Sequence, residues 1–357
     1  MDRAVRYDVA SLESFARGVF AAVGLDEELA RVTARTLVEG DLMGHSTHGL
    51  ALLERYAQEA SEGAMRGHGS PIVAADRGAS LVWDGQYLPG PWLVHHGLEV
   101  LSARARQYGS ASLAIRHSHH IACLATYLYH ATRAGLMLLL ASSDPAVQSV
   151  APFGGTRAVM TPNPIAAGIP TSGDPILVDI SASLTTNGMS ARLHQAGQLF
   201  DQPWLLDAQG EPTRDPGVLF EKPPGTIQPL GGLFAGHKGF GLALIVEALT
   251  AGLSGHGRAD DPHGWGATVF MTLFDPDAFG GRADYLRQMD ALVAACHDNP
   301  PRPGVEQVRV PGERAMRLMR EQSEAGIELQ ASIAPALARV AKRYGVDLPA
   351  PHAAGAN

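Results

Sequence analysis

The chain has 357 residues, 45% of them apolar and 18% charged. That is enough length for two or three domains, and the balance excludes intrinsic disorder and coiled coil. The formal charge of −8 comes from 28 basic and 36 acidic residues that are interspersed, so no Lys/Arg run exists to track nucleic-acid phosphates, and small-molecule chemistry is favoured.

In chain order, Asp8 can cap a helix in which Leu12, Phe15, Val19 and Phe20 recur at helical spacing. Asp26 can cap a second one carrying Leu29, Val32 and Leu37. After Pro71 the texture changes to strand-like runs at residues 79–83, 112–115, 136–141 and 176–180, separated by Gly, Pro and helical stretches, which is the pattern of an α/β protein. Residues 198–241 are rich in Gly and Pro, a loop-heavy span of the kind that usually carries function. Residues 240–253 are apolar enough for a buried helix. Leu337, Val340, Ala341 and Tyr344 fall at i, i+3, i+4 and i+7, with Pro335 in the first turn, and predict a closing helix packed on the N-terminal ones. The tail from residue 349 is expected to be loose. The order suggests three segments: a helical unit and start of the scaffold at 1–115, a cofactor-binding region at 116–284, and a returning segment at 285–357. Cys123 and Cys296 are too few and too far apart for a disulfide framework or a thiolate zinc site. No apolar run approaches the ~20 residues of a membrane span, and no secretory pattern follows Met1. A cytoplasmic protein without membrane contact is expected.

The chemistry concentrates in a few places. His45 and His48 flank Ser46-Thr47, and His117, His119 and His120 sit where a strand-like run gives way to a helical one. Each alone is as easily a hydrogen-bonded structural histidine as a functional one, since imidazole titrates near neutrality and bonds readily. The pattern lacks the H-E-x-x-H spacing of a zinc site. The run Leu230-Gly231-Gly232-Leu233-Phe234-Ala235-Gly236-His237-Lys238-Gly239-Phe240-Gly241 combines a bare glycine backbone, a lysine and a following helix, the ingredients of an anion site, yet it fits neither a P-loop nor a Rossmann fingerprint. A plain glycine turn before a core helix is its alternative. Asp179 ends a strand-like run beside hydroxyl residues, where it can orient a histidine, bond a ribose or simply cap a turn.

Taken in order, Gly44-His45-Ser46-Thr47-His48-Gly49, Ser118-His119-His120, Ala151-Pro152-Phe153-Gly154-Gly155, Thr161-Pro162-Asn163-Pro164, Asp179-Ile180-Ser181-Ala182-Ser183, Pro229-Leu230-Gly231-Gly232, His237-Lys238-Gly239-Phe240-Gly241 and Pro311-Gly312-Glu313-Arg314 resemble the type 2 malate/L-lactate dehydrogenase family over nearly the whole chain. The resemblance implies a non-Rossmann nicotinamide-binding α/β fold of the sulfolactate dehydrogenase-like type, with helical N- and C-terminal segments packed together. It also implies a homodimer and NAD or NADP as cofactor. His48 matches the family's Ser-His-Gly histidine, the proton donor or acceptor to the substrate oxygen, and Thr47 stands where Ser is common. His120 matches the histidine of the Ser-x-His-Phe-Gly segment and is the second catalytic candidate, although Ile121-Ala122 replace Phe-Gly. Asp179, Ile180 and Ser181 match the cofactor segment, His237 and Lys238 its phosphate-proximal pair, and Gly312, Glu313 and Arg314 its C-terminal contact; Asp179 is also a candidate to orient the catalytic histidine. Leu52 stands where many members carry an Arg suited to a substrate carboxylate, so the anchor is sought in Arg192, Arg116 or Arg55. The implied activity is interconversion of a 2-hydroxy and a 2-oxo acid, or of a related imino acid, with no metal. A metal-dependent hydrolase built on the histidine clusters, or a non-catalytic small-molecule binding protein, are the alternatives.

Overall fold

The computed structural model describes residues 5–353. Strand β1 (Val5–Tyr7) leads into α1 (Val9–Ala22) and α2 (Glu27–Leu42). Asp8 caps α1 by accepting the Ser11 N–H at 2.8 Å, whereas Asp26 takes the N-cap position of α2 without a side-chain cap bond. A 3-10 turn over Leu50–Leu52 opens α3 (Leu53–Ser61). There follow β2 (Ile72–Asp76), β3 (Ser80–Asp84), α4 (Gly90–Tyr108), β4 (Ser110–His119), α5 (Leu124–Arg133), β5 (Met137–Ser143), β6 (Pro164–Ile169), β7 (Ile176–Ser181) and α6 (Asn187–Gln195). The Gly- and Pro-rich span is partly ordered as a small sheet of β8 (Leu205–Leu206), β9 (Pro212–Thr213) and β10 (Thr226–Ile227) before α7 (Gly232–Glu247). The remaining elements are β11 (Gly266–Phe274), α8 (Arg282–His297), α9 (Glu313–Ala325), β12 (Ile327–Glu328), α10 (Ile333–Tyr344) and β13 (His352–Ala353).

A seven-stranded sheet runs β2-β3-β4-β11-β5-β6-β7. Its neighbours are antiparallel except β3 and β4, and that parallel pair is joined by the crossover helix α4, as parallel pairing requires. Strand β11 lies at the centre, and every residue but Phe274 is buried, the apolar run expected of a strand covered on both faces. The boundary drawn at 115/116 therefore falls inside β4, which pairs with β3 on one side and β11 on the other. One large core joins the sheet to Leu12, Phe15 and Phe20 of α1 and to Leu337 and Val340 of α10. The closing helix packs on the N-terminal ones as expected. A second, smaller core gathers Val150, Phe200, Leu205, Ile227 and Ala243.

Two expectations need correction. The tail is not wholly loose: β13 pairs with β1, Val5 opposite Ala353 and Arg6 opposite His352, so it is tied down as far as residue 353, while 354–357 lie outside the described residues. The apolar helix starts at Gly232 rather than near Phe240, continues through a wider turn over Ala248–Gly252, and is buried on one side only. Gly236, Gly239, Ala243 and Val246 face the protein, but Leu233, Phe234, Leu244, Ile245 and Leu253 are exposed, Phe234 at 97%. Residues Gly232–Gly252 form 21 helical residues whose most apolar stretch has a mean hydropathy of 1.3, long and apolar enough to cross a membrane by length and composition; the interspersed glycines and His237-Lys238 hide this from a count of consecutive apolar residues.

Candidate active site

A cleft of about 540 Å³ collects groups from six parts of the chain: the 45–55 segment, the β4–α5 connection, the end of β5 and the turn after it, residues 161–164 at the start of β6, β7 with its connection to α6, and residues 265–267 at the start of β11. The first is fixed from beneath by Asp41, whose buried carboxylate accepts the Leu50 N–H at 2.7 Å. Gly49 lies so close to that carboxylate that a Cβ would collide with it. His48 is thereby held half-buried at the cleft wall, its Nδ1 2.9 Å from Thr47 Oγ1. Burial, helped by the neighbouring His45 charge, lowers its pKa to about 4, so the ring is neutral at physiological pH.

His120 lies across from His48, the two rings stacked with centroids 6.0 Å apart and planes 22° apart. Burial, then the His48 charge, holds its pKa well below the usual imidazole range. The Tyr56 hydroxyl is 2.8 Å from both His120 Nδ1 and the His120 carbonyl oxygen. Its single hydrogen satisfies the carbonyl, which leaves its oxygen to accept from Nδ1–H and places the free lone pair of His120 on Nε2. The competing Ala122 N–H contact to Nδ1 is the longer one at 3.3 Å. Gly90, at the start of α4, touches the His119 and His120 carbonyls so tightly that only glycine fits.

His120 also stacks on Trp265 at 4.5 Å, and the Arg55 guanidinium sits 3.5 Å from the centroid of that indole. Leu52, Arg55, Tyr56 and Glu59 recur at i, i+3, i+4 and i+7, the spacing of one helix face. Of these, Leu52 and Arg55 line the cleft. Tyr56 and Trp265 escaped the sequence reading; the helical spacing from Leu52 is the signal that could have found Tyr56. Asp144 at the end of β5 was also missed. It lines the cleft, burial raises its carboxyl to about 6, and Oδ1 accepts the Ala146 N–H at 3.0 Å while Oδ2 is buried without a protein partner.

Asp179 reaches the N-terminus of α5, where it accepts the Ala125 N–H at 3.2 Å. Its neighbours are His45 and Cys123, the three ligating atoms lying within 4.8 Å of one another, so the histidine beside Asp179 is His45. Burial raises the Asp179 carboxyl and the His45 charge opposes the rise. Ser181 shares the cleft with Asp179, while Ile180 between them is exposed, as strand alternation dictates. Past β7, Thr186 caps α6 through Met189 N–H.

Several sequence-proposed residues stand elsewhere in the chain's own structure. His237 and Lys238 are exposed on α7, inside the helix and not at its start, because Gly232 already opens it. Glu313 and Arg314 line a different cavity of about 730 Å³, and Glu313 pairs with His297. Gly312 packs against Leu177 of β7, two residues from Asp179. Arg192 bonds Gln330 at 3.1 Å, and Arg116 and His117 both bond Asp84. Arg55 is the one anchor candidate of the three at the cleft.

Residues 7–338 match the family model described as malate/L-lactate dehydrogenase. The L-lactate dehydrogenase of Cupriavidus necator is 32% identical over 97% of this chain and 99% of its own length. The chain belongs to the malate/L-lactate dehydrogenase family. A (2R)-3-sulfolactate dehydrogenase (NADP(+)) of Chromohalobacter salexigens is 32% identical over 87% of this chain and 91% of its own. The fold is that of the malate dehydrogenase of Entamoeba histolytica, with a TM-score of 0.91, 23% identity, and coverage of 98% and 100% of the two chains. The family's dehydrogenases are NAD(P)-dependent enzymes, and this dehydrogenase is one of them. Membership decides the reaction class among the three readings in favour of an oxidoreductase.

Whether the cleft suits a nicotinamide dinucleotide is tested by its polar end. Thr186, Asn187 and Gly188 bring the first turn of α6 to the cleft, and no atom lies within 4 Å of where a Gly188 Cβ would stand. A bare backbone at a helix N-terminus is what a phosphate requires. The residues fit the group.

Proposed function

We propose that this dehydrogenase reduces a 2-oxo acid with an apolar side chain to the 2-hydroxy acid, or a related imino acid to the amino acid, and catalyses the reverse. The carrying observation is the stacked His48–His120 pair beside an arginine held on Trp265. When bound, NAD or NADP accepts or supplies the hydride. Ser181 and the Thr186-Asn187-Gly188 turn would hold its phosphates, with Asp179 and the neighbouring β7 backbone beside them. Arg55 grips the substrate carboxylate, its planar fork kept from swinging by the indole beneath. His48 exchanges the proton with the substrate oxygen: neutral in the free enzyme, it takes the hydroxyl proton during oxidation and returns it during reduction. His120, its ring fixed by Tyr56 and Trp265, stands opposite His48 and positions the substrate by packing against it, leaving the hydroxyl proton to His48. Leu52, Met189 and Trp265 line the cleft and exclude water from the reacting carbon.

Leu52 gives a second substrate carboxylate no partner, so a dicarboxylate would lose an ion pair and bear the desolvation cost. Oxaloacetate should be reduced more slowly than a longer apolar 2-oxo acid, and Leu52→Arg should reverse the order; steady-state rates with NADH and NADPH across a panel of oxo and imino acids measure both. Faster reduction of oxaloacetate by the unaltered enzyme would show that another cation has taken over. The exposed stripe of α7 supports a homodimer, and two free cysteines suit the reducing cytoplasm.

A further inference from the structure

Helices α2, α4 and α5 bring together Glu39, His95 and His130, none of which lines the catalytic cleft. Their ligating atoms lie within 4.8 Å of one another. His130 Nε2 is 3.0 and 2.9 Å from the two Glu39 carboxylate oxygens. The two imidazoles meet edge to face, centroids 4.9 Å apart and planes 77° apart. Glu39 and His95 are each only 8% exposed, and His95 Nε2 is buried without a hydrogen-bond partner. A buried imidazole nitrogen with nothing to bond is uncommon and calls for a ligand.

We propose that Glu39, His95 and His130 bind one zinc-type transition-metal dication, as a structural clamp across three helices and apart from the catalytic cleft. Two imidazoles and one carboxylate are the donors of Zn²⁺, Ni²⁺ or Cu²⁺, not of Mg²⁺ or Ca²⁺, which take oxygen sets. Ligands about 2 Å from a common ion stand about 3.3 Å apart in a tetrahedron, so the cluster needs only a small closure. The fourth position falls to water, which can enter beside His130, whose side chain is 31% exposed. Arg35 is the nearby cation. Its Nε is 3.8 Å from Glu39 Oε1, too far for a hydrogen bond, so it leaves the carboxylate available while disfavouring ions held by charge alone.

The test titrates chelator-stripped, full-length enzyme with Co²⁺ and then Zn²⁺. The expected result is one Co²⁺ per chain with visible bands of a nitrogen–oxygen site and no thiolate charge-transfer band. Zn²⁺ should displace it and raise the melting temperature, and His130→Ala should weaken uptake at least about 100-fold while dehydrogenase activity persists. If His130→Ala fails to fold, Glu39→Gln carries the same expectation for uptake. Absence of stoichiometric uptake, uptake unchanged in the folded variant, or a thiolate band placing the ion on Cys123 in the cleft would overturn the proposal.

Discussion

His48 and Asp41 show how single side chains set the chemistry. If His48 is the proposed proton-exchanging group, His48→Ala should lower kcat by at least about 100-fold with an unchanged dissociation constant for the cofactor, measured by nucleotide fluorescence. Asp41 works a step behind it, holding the Leu50 N–H and crowding Gly49. Burial raises its pKa from 3.8 to about 7, so the folded state holds that proton more tightly than the unfolded chain. The resulting stability is complete below about pH 4 and drains away as pH rises through 7. Asp41→Asn should therefore be more stable than the unaltered enzyme at pH 8, by about 2–4 kcal/mol, and the gap should close on acidification; denaturant titrations at pH 5, 6.5 and 8 read it directly. His48 and His120, which share one cleft, were legible as candidates because they stand in short motifs. Asp144 and Trp265 were not: they come to the site from distant segments, and only tertiary packing brings them there, whereas Tyr56 lies on the helix face that Leu52 begins.

At the scale of elements, α7 carries the largest difference between sequence and structure. The glycine run reads as a loop ahead of a helix, but Gly231 takes the left-handed turn at φ 97° and the helix begins at once. Gly236 and Gly239 are needed inside it, the former against Phe153 and the latter against the Leu230 backbone, where a Cβ would not fit. Lys238 is carried to the outer surface as a result. On that surface Leu233-Phe234 and Leu244-Ile245 are 11 residues apart, three helical turns, so they form one stripe. If the proposed homodimer forms through this stripe, Phe234→Glu with Ile245→Glu should halve the mass in sedimentation or light scattering without unfolding the chain; an unchanged mass would overturn the dimer through this stripe. Strands β3, β4, β5 and β7 were legible from short apolar runs. Strand β11 is not legible in the sequence although Gly266–Phe274 is mostly apolar, because its nine residues show no alternation to separate a buried strand from a buried helix.

For the whole molecule, α1 meeting α10 in one core was legible from matching apolar stripes, whereas strand order was not, since periodicity names faces and not neighbours. That order has a consequence in time. Strands β4 and β5 end by residue 143, but the strand that separates them arrives only at Gly266. At ribosomal speeds of roughly 5–20 residues per second, the nascent chain spends about 6–25 s with two finished strands whose inner edges have no mate. Pairing β4 directly with β5 would be the nearest wrong answer, and it would shut out the strand that later carries Trp265's neighbour Gly266 into the cleft. During that interval the emerging polypeptide is a natural client for chaperones that shield unpaired sheet edges.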